Sequence, residues 1–356
     1  MEQGSGKKGV FIMLRKEIIN SIKENIENYL SGFAVPDHWF SGSILVSIDS
    51  NILINDGYGM ANYELNVPNS AETKFCIGSI TKQFTAILVL QLVEKGLLSL
   101  GDTLDMFISD YPSGNKVTIH HLLTHSSGIY NYTEDEDLDI YMRNYISPMG
   151  LIEKFKYKPL DFEPGFRYSY SNSGYILLGY IIEKLTNKTY EECVNENIFH
   201  KLSMMNSGYN NHIKLVKNRA SGYNMVDGEI KNCDFIDFSI PYAAGSLYST
   251  IEDLHKWNSA LFNEALISEK FLKKMLYKHV KMAEDQYYGY GIMLWQREYG
   301  NRIRIGISHD GGQPGFVSSN NIFPEDNVEI IILSNMTNCC KDEISLKLRE
   351  IIFDII

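Results

Sequence analysis

Long apolar runs are missing from this sequence. None approaches the ~18 residues that a membrane-crossing helix needs, and the candidate at residues 86–90 is cut short by Gln91. No membrane partner is expected. Cysteine is sparse: Cys76, Cys193, Cys233, Cys339 and Cys340 are odd in number and form no C-x-x-C pair. That argues against a disulfide framework or a zinc site and favours a reducing compartment. Residues 1–10 are rich in Gly and Lys, and no apolar segment with a small-residue cleavage site follows them. No secretory signal is read, and cytoplasmic residence is expected. Residues 8–10 can be back-translated as a purine-rich ribosome-binding sequence just ahead of Met13. Met13 is therefore the expected native start; a native protein beginning at Met1 by mass spectrometry would overturn that.

Basic residues are outnumbered, 33 Lys and Arg against 44 Asp and Glu, for a net charge of −11. No basic stripe interrupts this excess, which removes nucleic acid as a partner. Two sequence signatures are also absent. Without G-x-S-x-G there is no α/β-hydrolase elbow, and without G-x-x-x-x-G-K-[ST] no phosphate-binding loop. His121 and His125 are spaced i, i+4, but the Glu of H-E-x-x-H is missing and Leu122-Leu123 reads as a packed helix end. No metal or cofactor is expected.

The remaining composition, 44% hydrophobic and 22% charged over 356 residues, is that of an ordinary globular chain long enough for two domains. Ile18, Ile19, Ile22, Ile26 and Leu30 recur at helical spacing and predict an amphipathic helix over residues 16–29. Residues 41–49 and 51–58 read as a hairpin turned at Asp49-Ser50-Asn51. Near the other end, residues 290–296, 302–308, 316–323 and 328–333 are strand-like, and a closing helix is expected at about 342–355. The middle is mostly helical. The expected fold class is α+β: a discontinuous sheet domain from residues 1–99 and 241–356, flanked by helices, with a mainly helical insertion at 100–240 and the active site between them. The acidic run at residues 133–139, TEDEDLD, reads as a solvated loop.

Three short constellations carry possible chemistry. Ser79 and Lys82 form S-x-x-K, which also occurs at Ser5 and Ser113; only Ser79 opens a long apolar helix, one that ends at Gly96. A serine at the first turn of a buried helix meets the positive end of the helix dipole. Lys82, three residues on, shares its face and, once desolvated, can take its proton. Taken alone, the pair also fits a capping serine followed by a surface lysine. Tyr170 and Asn172 form Y-x-N ahead of a helix starting near Ser173, and in an extended turn both side chains point into one cleft; a core tyrosine with a capping asparagine is the plainer reading. His309-Asp310-Gly311-Gly312, the only H-x-G in the chain, is expected at a strand end where glycines let backbone N–H groups approach a ligand; by itself His309 could equally be structural.

In this order the three motifs resemble the penicillin-recognising serine hydrolases: serine β-lactamases, D-alanyl-D-alanine carboxypeptidases and their esterase relatives. Y-x-N followed by H-x-G is similar to the branch holding class C β-lactamases, certain D-amino-acid peptidases and cytoplasmic esterases. HLLTHSSGI at residues 121–129, PGFRYSYSN at 164–172, AAGSLYSTIEDLHKW at 243–257 and YGYGI at 288–292 extend the likeness over nearly the whole chain. The resemblance implies that Ser79 is acylated, that Lys82 and Tyr170 share proton transfer, and that Asn172, His309 and Gly311 meet the substrate. It also implies an oxyanion hole from the N–H groups of Ser79 and Gly312. The substrate would be a small molecule or short peptide, cleaved at an ester or D-residue amide. A β-lactamase and a penicillin-binding module without turnover are the alternatives. His309 stands where the K-T-G lysine is usual, which speaks against efficient β-lactam hydrolysis. Loops at residues 130–165 and 205–240 are expected to set acyl-group size.

Overall fold

A computed structural model describes the backbone at residues 4–32 and 40–356 and side chains from residue 15 onward. The sheet is built from both ends of the chain. Its strands are β1 (Gly42–Ile48), β2 (Asn51–Tyr58), β3 (Val280–Ala283), β4 (Gln286–Tyr288), β5 (Met293–Tyr299), β6 (Arg302–Gln313), β7 (Phe316–Phe323) and β8 (Val328–Ser334). The antiparallel order is β3-β4-β5-β6-β7-β8-β1-β2, so the first and last long strands are neighbours, with Gly42 opposite Ser334 and Ile48 opposite Val328.

Strand β1 is buried at every position and β8 at nearly every one, because helices cover both faces of the sheet. On the outer face Ile44, Val46, Ile330 and Ile332 meet Ile22, Ile26 and Leu30 of α1 (Gly4–Ser31) and Ile344, Leu348 and Ile352 of the closing helix, Lys341–Phe353. Ile18, expected on the same apolar stripe, is 39% exposed. On the inner face Leu45, Ile331 and Leu333 join the larger core.

That core contains α2 (Thr81–Glu94), whose side chains are buried from Thr81 to Leu92. Gly96, at φ +70, ends it as the glycine cap does in general, with Leu97 N donating to Leu92 O. Helix α2 packs against α3 (Asn172–Thr186) and the short turn Tyr242–Gly245. Phe84 stacks at 4.0 Å on Trp257 of α4 (Ile251–Leu261), and Trp257 Nε1 donates to Gln83 Oε1 at 3.0 Å. Between residues 100 and 240 the elements are helical apart from short strands such as Tyr223–Val226 and Glu229–Asn232.

Two strand boundaries and two short strands depart from the sequence expectation. Residues 290–292 are a turn: Gly291, at φ +71, lies so close to Lys82 O that a Cβ would sit 2.5 Å from it, and the strand starts at Met293. The short strands β3 and β4 precede it at the sheet edge. Strand β6 does not stop at Ser308 but runs through His309-Asp310-Gly311-Gly312 to Gln313, with Gly311 opposite Ser318. Gly311 there serves close approach within a strand, not a turn.

Gly311 shows why. A Cβ on it would lie 2.0 Å from Ile77 O, two residues before Ser79, and that carbonyl also accepts from Ser318 Oγ at 2.9 Å. Gly311→Ala is expected to force the two backbones apart and cost on the order of 1–3 kcal/mol, lowering the melting temperature in calorimetry. An unchanged melting temperature would mean that this contact does not hold the helix start to the sheet.

Candidate active site

Ser79 lies in the tight turn Gly78–Ile80 that leads into α2. One side of the turn is held by a small sheet in which Phe75 and Cys76 pair with Ser249 and Tyr248. The other side rests on β6, with Gly78, at φ +49, so near Gly312 that a Cβ would stand 2.6 Å from its nitrogen. Polar side chains on α2 then lock the neighbouring segment. Thr81 Oγ1 accepts from Leu247 N at 3.2 Å, and Thr85 Oγ1 donates to Ala243 O at 2.6 Å. Between them Lys82 Nζ donates to Ala244 O at 2.8 Å.

Lys82 is fully buried. Its Nζ stands 3.0 Å from Ser79 Oγ and 2.8 Å from Asn172 Oδ1, and 4.9 Å from the centre of the Tyr170 ring. Asn172 is the first residue of α3, and its Nδ2 faces Thr133 Oγ1 at 3.4 Å. Burial holds the Lys82 amine well below its usual pKa. Burial raises the Tyr170 phenol, against a hydrogen bond to Ser79 that opposes the rise. An amide oxygen and a peptide carbonyl can only accept, so Asn172 and Ala244 take two hydrogens of a neutral Lys82 amine. Its lone pair is then left for the Ser79 hydroxyl.

Ser79, Asn172, Gly312, Gln313, Ala244 and Gly245 line a cavity of about 180 Å³ together with Tyr132, Thr133, Leu138, Ile236, Ile240, Pro241 and Pro314. No charged side chain is among them. Both loop regions expected to border the site contribute, and the acidic run supplies Thr133 and Leu138 to the wall while Glu134, Glu136, Asp137 and Asp139 stay exposed.

Two residues expected at the substrate stand one layer back. Gly311 packs on Ile77, as described. His309 is 2% exposed, its ring 6.4 Å from that of Tyr170. Its Nδ1 donates to Asp310 O at 2.6 Å, which leaves Nε2 to accept from the Tyr288 hydroxyl at 2.9 Å. Burial, with Lys82 nearby, brings its pKa down to about 3. The Asp310 carboxylate points to the opposite face, 3.6 Å from Lys341, as alternation along a strand requires.

Sequence reasoning missed three partners. Ala244 acts through its carbonyl, which leaves no mark in a sequence. Tyr288 was seen only within YGYGI, and His125 only as a helix end. His121 does belong to that end: its Nδ1 accepts from Thr118 N in a capping box. His125 lies beyond it, 1% exposed, with its ring 4.2 Å from that of Tyr170.

An antiparallel sheet with a lysine-aimed serine at the head of a buried helix is the architecture of the penicillin-binding and serine β-lactamase fold. Residues 28–345 match the family described as Beta-lactamase, and the chain belongs to that family. It is similar to a penicillin binding protein from Bacillus halodurans, whose crystal structure aligns with a TM-score of 0.79 at 31% identity over 91% of this chain and 98% of that one. Penicillin-binding protein 4* of Bacillus subtilis (strain 168) is 28% identical over 319 residues, 84% of this chain and 68% of its own. The teichoic acid D-alanine hydrolase of Staphylococcus aureus (strain MRSA252) is 26% identical over 286 residues, 77% of this chain and 68% of its own.

The buried imidazoles make a measurable demand on stability. His125 and His309 are both held below the ordinary histidine value, so as pH falls through about 6.5 the unfolded chain takes up protons that the folded chain refuses. The stability is complete above that pH and is lost on acidification. Each group costs about 1.4 kcal/mol per pH unit, and the two together roughly 3. The midpoint of chemical denaturation should fall between pH 7 and pH 5; a flat profile would mean that both imidazoles are charged in the fold.

Proposed function

We propose that the protein is a serine hydrolase that opens esters and amides of small acyl groups, D-aminoacyl groups in particular, through an acyl-enzyme on Ser79. The observation that carries this is the Lys82 amine, fully buried, with two obligate acceptors on one side and Ser79 Oγ on the other. Such an amine is neutral and able to accept the hydroxyl proton.

In the first half-reaction Lys82 Nζ takes the proton as Ser79 Oγ forms a bond to the carbonyl carbon. The carbonyl oxygen becomes an oxyanion facing the N–H groups of Ser79 and Gly312. As the bond to the leaving group breaks, Tyr170 gives it a proton and regains one from the Lys82 ammonium. A phenol with a raised pKa suits this role, since it carries its proton at neutral pH. Water then repeats the sequence on the acyl-enzyme, releasing the acid and restoring Ser79. Asn172 Nδ2, beside Thr133, offers a donor to the acyl side chain. His309 acts from behind through Tyr288 and Tyr170 and does not contact the substrate.

The uncharged cavity argues for esters and D-aminoacyl amides over β-lactams. A β-lactam carboxylate would find no cation in the lining, and a neutral His309 does not supply one. The relationship to a teichoic acid D-alanine hydrolase agrees with a small D-aminoacyl ester. Ser79→Ala is expected to abolish turnover and covalent labelling, with intact-protein mass spectrometry giving one fluorophosphonate adduct on the peptide that contains Ser79 in the wild type. kcat/KM for a short-chain p-nitrophenyl ester should exceed that for a chromogenic cephalosporin. Faster cephalosporin turnover in the wild type would make the protein a β-lactamase, and a stoichiometric burst without turnover a penicillin-binding module.

A further inference from the structure

We propose that His125 is a positioning residue for Tyr170, its backbone carbonyl and its imidazole Nδ1 clamping the two peptide N–H groups that flank the phenol. The proposal rests on the reading of Tyr170 as the proton donor to the leaving group. Ser169 N donates to His125 O at 2.8 Å, and Ser171 N donates to His125 Nδ1 at 3.2 Å. The residue between these two donors is Tyr170. Its ring lies 4.2 Å from the imidazole at an interplanar angle of 37°, so one residue fixes the backbone on both sides of the phenol and the plane of its ring.

The clamp ends a longer run of pairing. Asp161 N donates to Gly128 O and Gly165 N to Ser126 O, both at 2.8 Å, so residues 125–128 form a template along which residues 161–171 are laid. The template is tight: at Gly128, φ +71, a Cβ would sit 2.1 Å from Phe162 O. It is also dry, with His125, Ser126 and Ser127 each exposed by 2% or less.

His125 itself is left-handed, at φ +56, a conformation that costs most side chains energy but suits Asn, Asp and His better than others. That conformation lets its carbonyl and its Nδ1 address two N–H groups of the same strand. Because Nδ1 accepts, the ring proton is on Nε2, and the ring is neutral among Tyr168, Tyr170, Tyr175 and Tyr288. A neutral imidazole here also spares the Lys82 amine a neighbouring positive charge.

Three substitutions separate positioning from bulk. His125→Asn keeps an acceptor where Nδ1 stands and tolerates the left-handed backbone. His125→Phe keeps the ring without the acceptor, and His125→Gln carries its amide one bond too far. Each is assayed on a p-nitrophenyl ester, whose leaving group departs without a proton, and on D-alanine anilide, whose leaving group needs one. His125→Phe and His125→Gln should lower kcat on the anilide on the order of 100-fold with KM little changed, and on the ester by less than about tenfold. His125→Asn should stay within about tenfold of wild type on both. In a Tyr170→Phe background, His125→Phe should add little further loss. Equal losses on the two substrates, multiplicative losses with Tyr170→Phe, or an Asn variant as poor as the Gln variant would each overturn the proposal. The Asn–Gln contrast decides the matter even where the Phe variant fails to fold. A Tyr170→Phe enzyme that cleaved the anilide normally would instead remove the proton-donor reading of Tyr170, a separate failure.

Discussion

The arrangement of the site depends on a lysine buried without a carboxylate. Removing an ammonium from water costs several kcal/mol even after relaxation, and among the described residues no acidic side chain bonds to Lys82 to offset that. The fold resolves the conflict by giving up the proton. Two fixed acceptors, Asn172 Oδ1 and Ala244 O, aim the remaining amine at Ser79. This requires a helix that is buried all round, since any wet face on α2 would restore the charge, and α2 is buried from Thr81 to Leu92. Thr81 and Thr85 flank the lysine and tie residues 243–247 to the same helix, so the acceptor that holds the amine is itself held.

The second constraint is how near two backbones must come. The turn that carries Ser79 comes against strand β6 backbone to backbone, as the proposed oxyanion hole of Ser79 N–H and Gly312 N–H needs. Side chains at the contact would prevent it. Gly78 and Gly311 are where the turn and strand β6 touch, and Gly291 does the same under Lys82. Gly78 and Gly291 make their turns at positive φ and also permit the approach, whereas Gly311 acts purely as a spacer within a strand. That is the physical reason the H-x-G segment sits within β6 rather than at a strand end.

What could be read in advance followed from local periodicity and from order. The hairpin of β1 and β2, the strands at 316–323 and 328–334, helix α2 with its Gly96 cap and the closing helix all carry patterns that their own neighbours enforce. The convergence of Ser79, Lys82, Tyr170 and Asn172 was legible only because the three motifs occur together, since each alone had a plainer reading. What escaped was set by tertiary contact. Strands β3 and β4 are half-exposed and only four and three residues long, too short for a period to stand out. His125 carries no signal of its own: its role arises from N–H groups more than forty residues further along the chain, brought alongside by backbone pairing. Ile18 has the right spacing for the apolar face of α1, yet spacing cannot tell where the surface beneath a helix ends.

Charge completes the logic of the site through where it is absent. The cavity wall holds no ionised side chain, His309 is neutral, and Asp310 turns its carboxylate to the far side of the sheet, toward Lys341. At the mouth the sign is negative, with Glu134, Glu136, Asp137 and Asp139 exposed beside the wall residues Thr133 and Leu138, on a chain of net charge −11. For the substrate class proposed above this distribution is favourable: an acyl group bearing an ammonium would be attracted by the exposed carboxylates and would meet no resident cation in the wall, whereas an anionic one would be repelled. On the proposed mechanism the only charge that need appear in the cavity is the one the reaction creates, as a proton passes from Ser79 to Lys82 and on through Tyr170. On the proposed mechanism, a wall without resident charge leaves the N–H groups of Ser79 and Gly312 uncontested at the oxyanion, so the absence of charge that would favour such a substrate would also serve the chemistry.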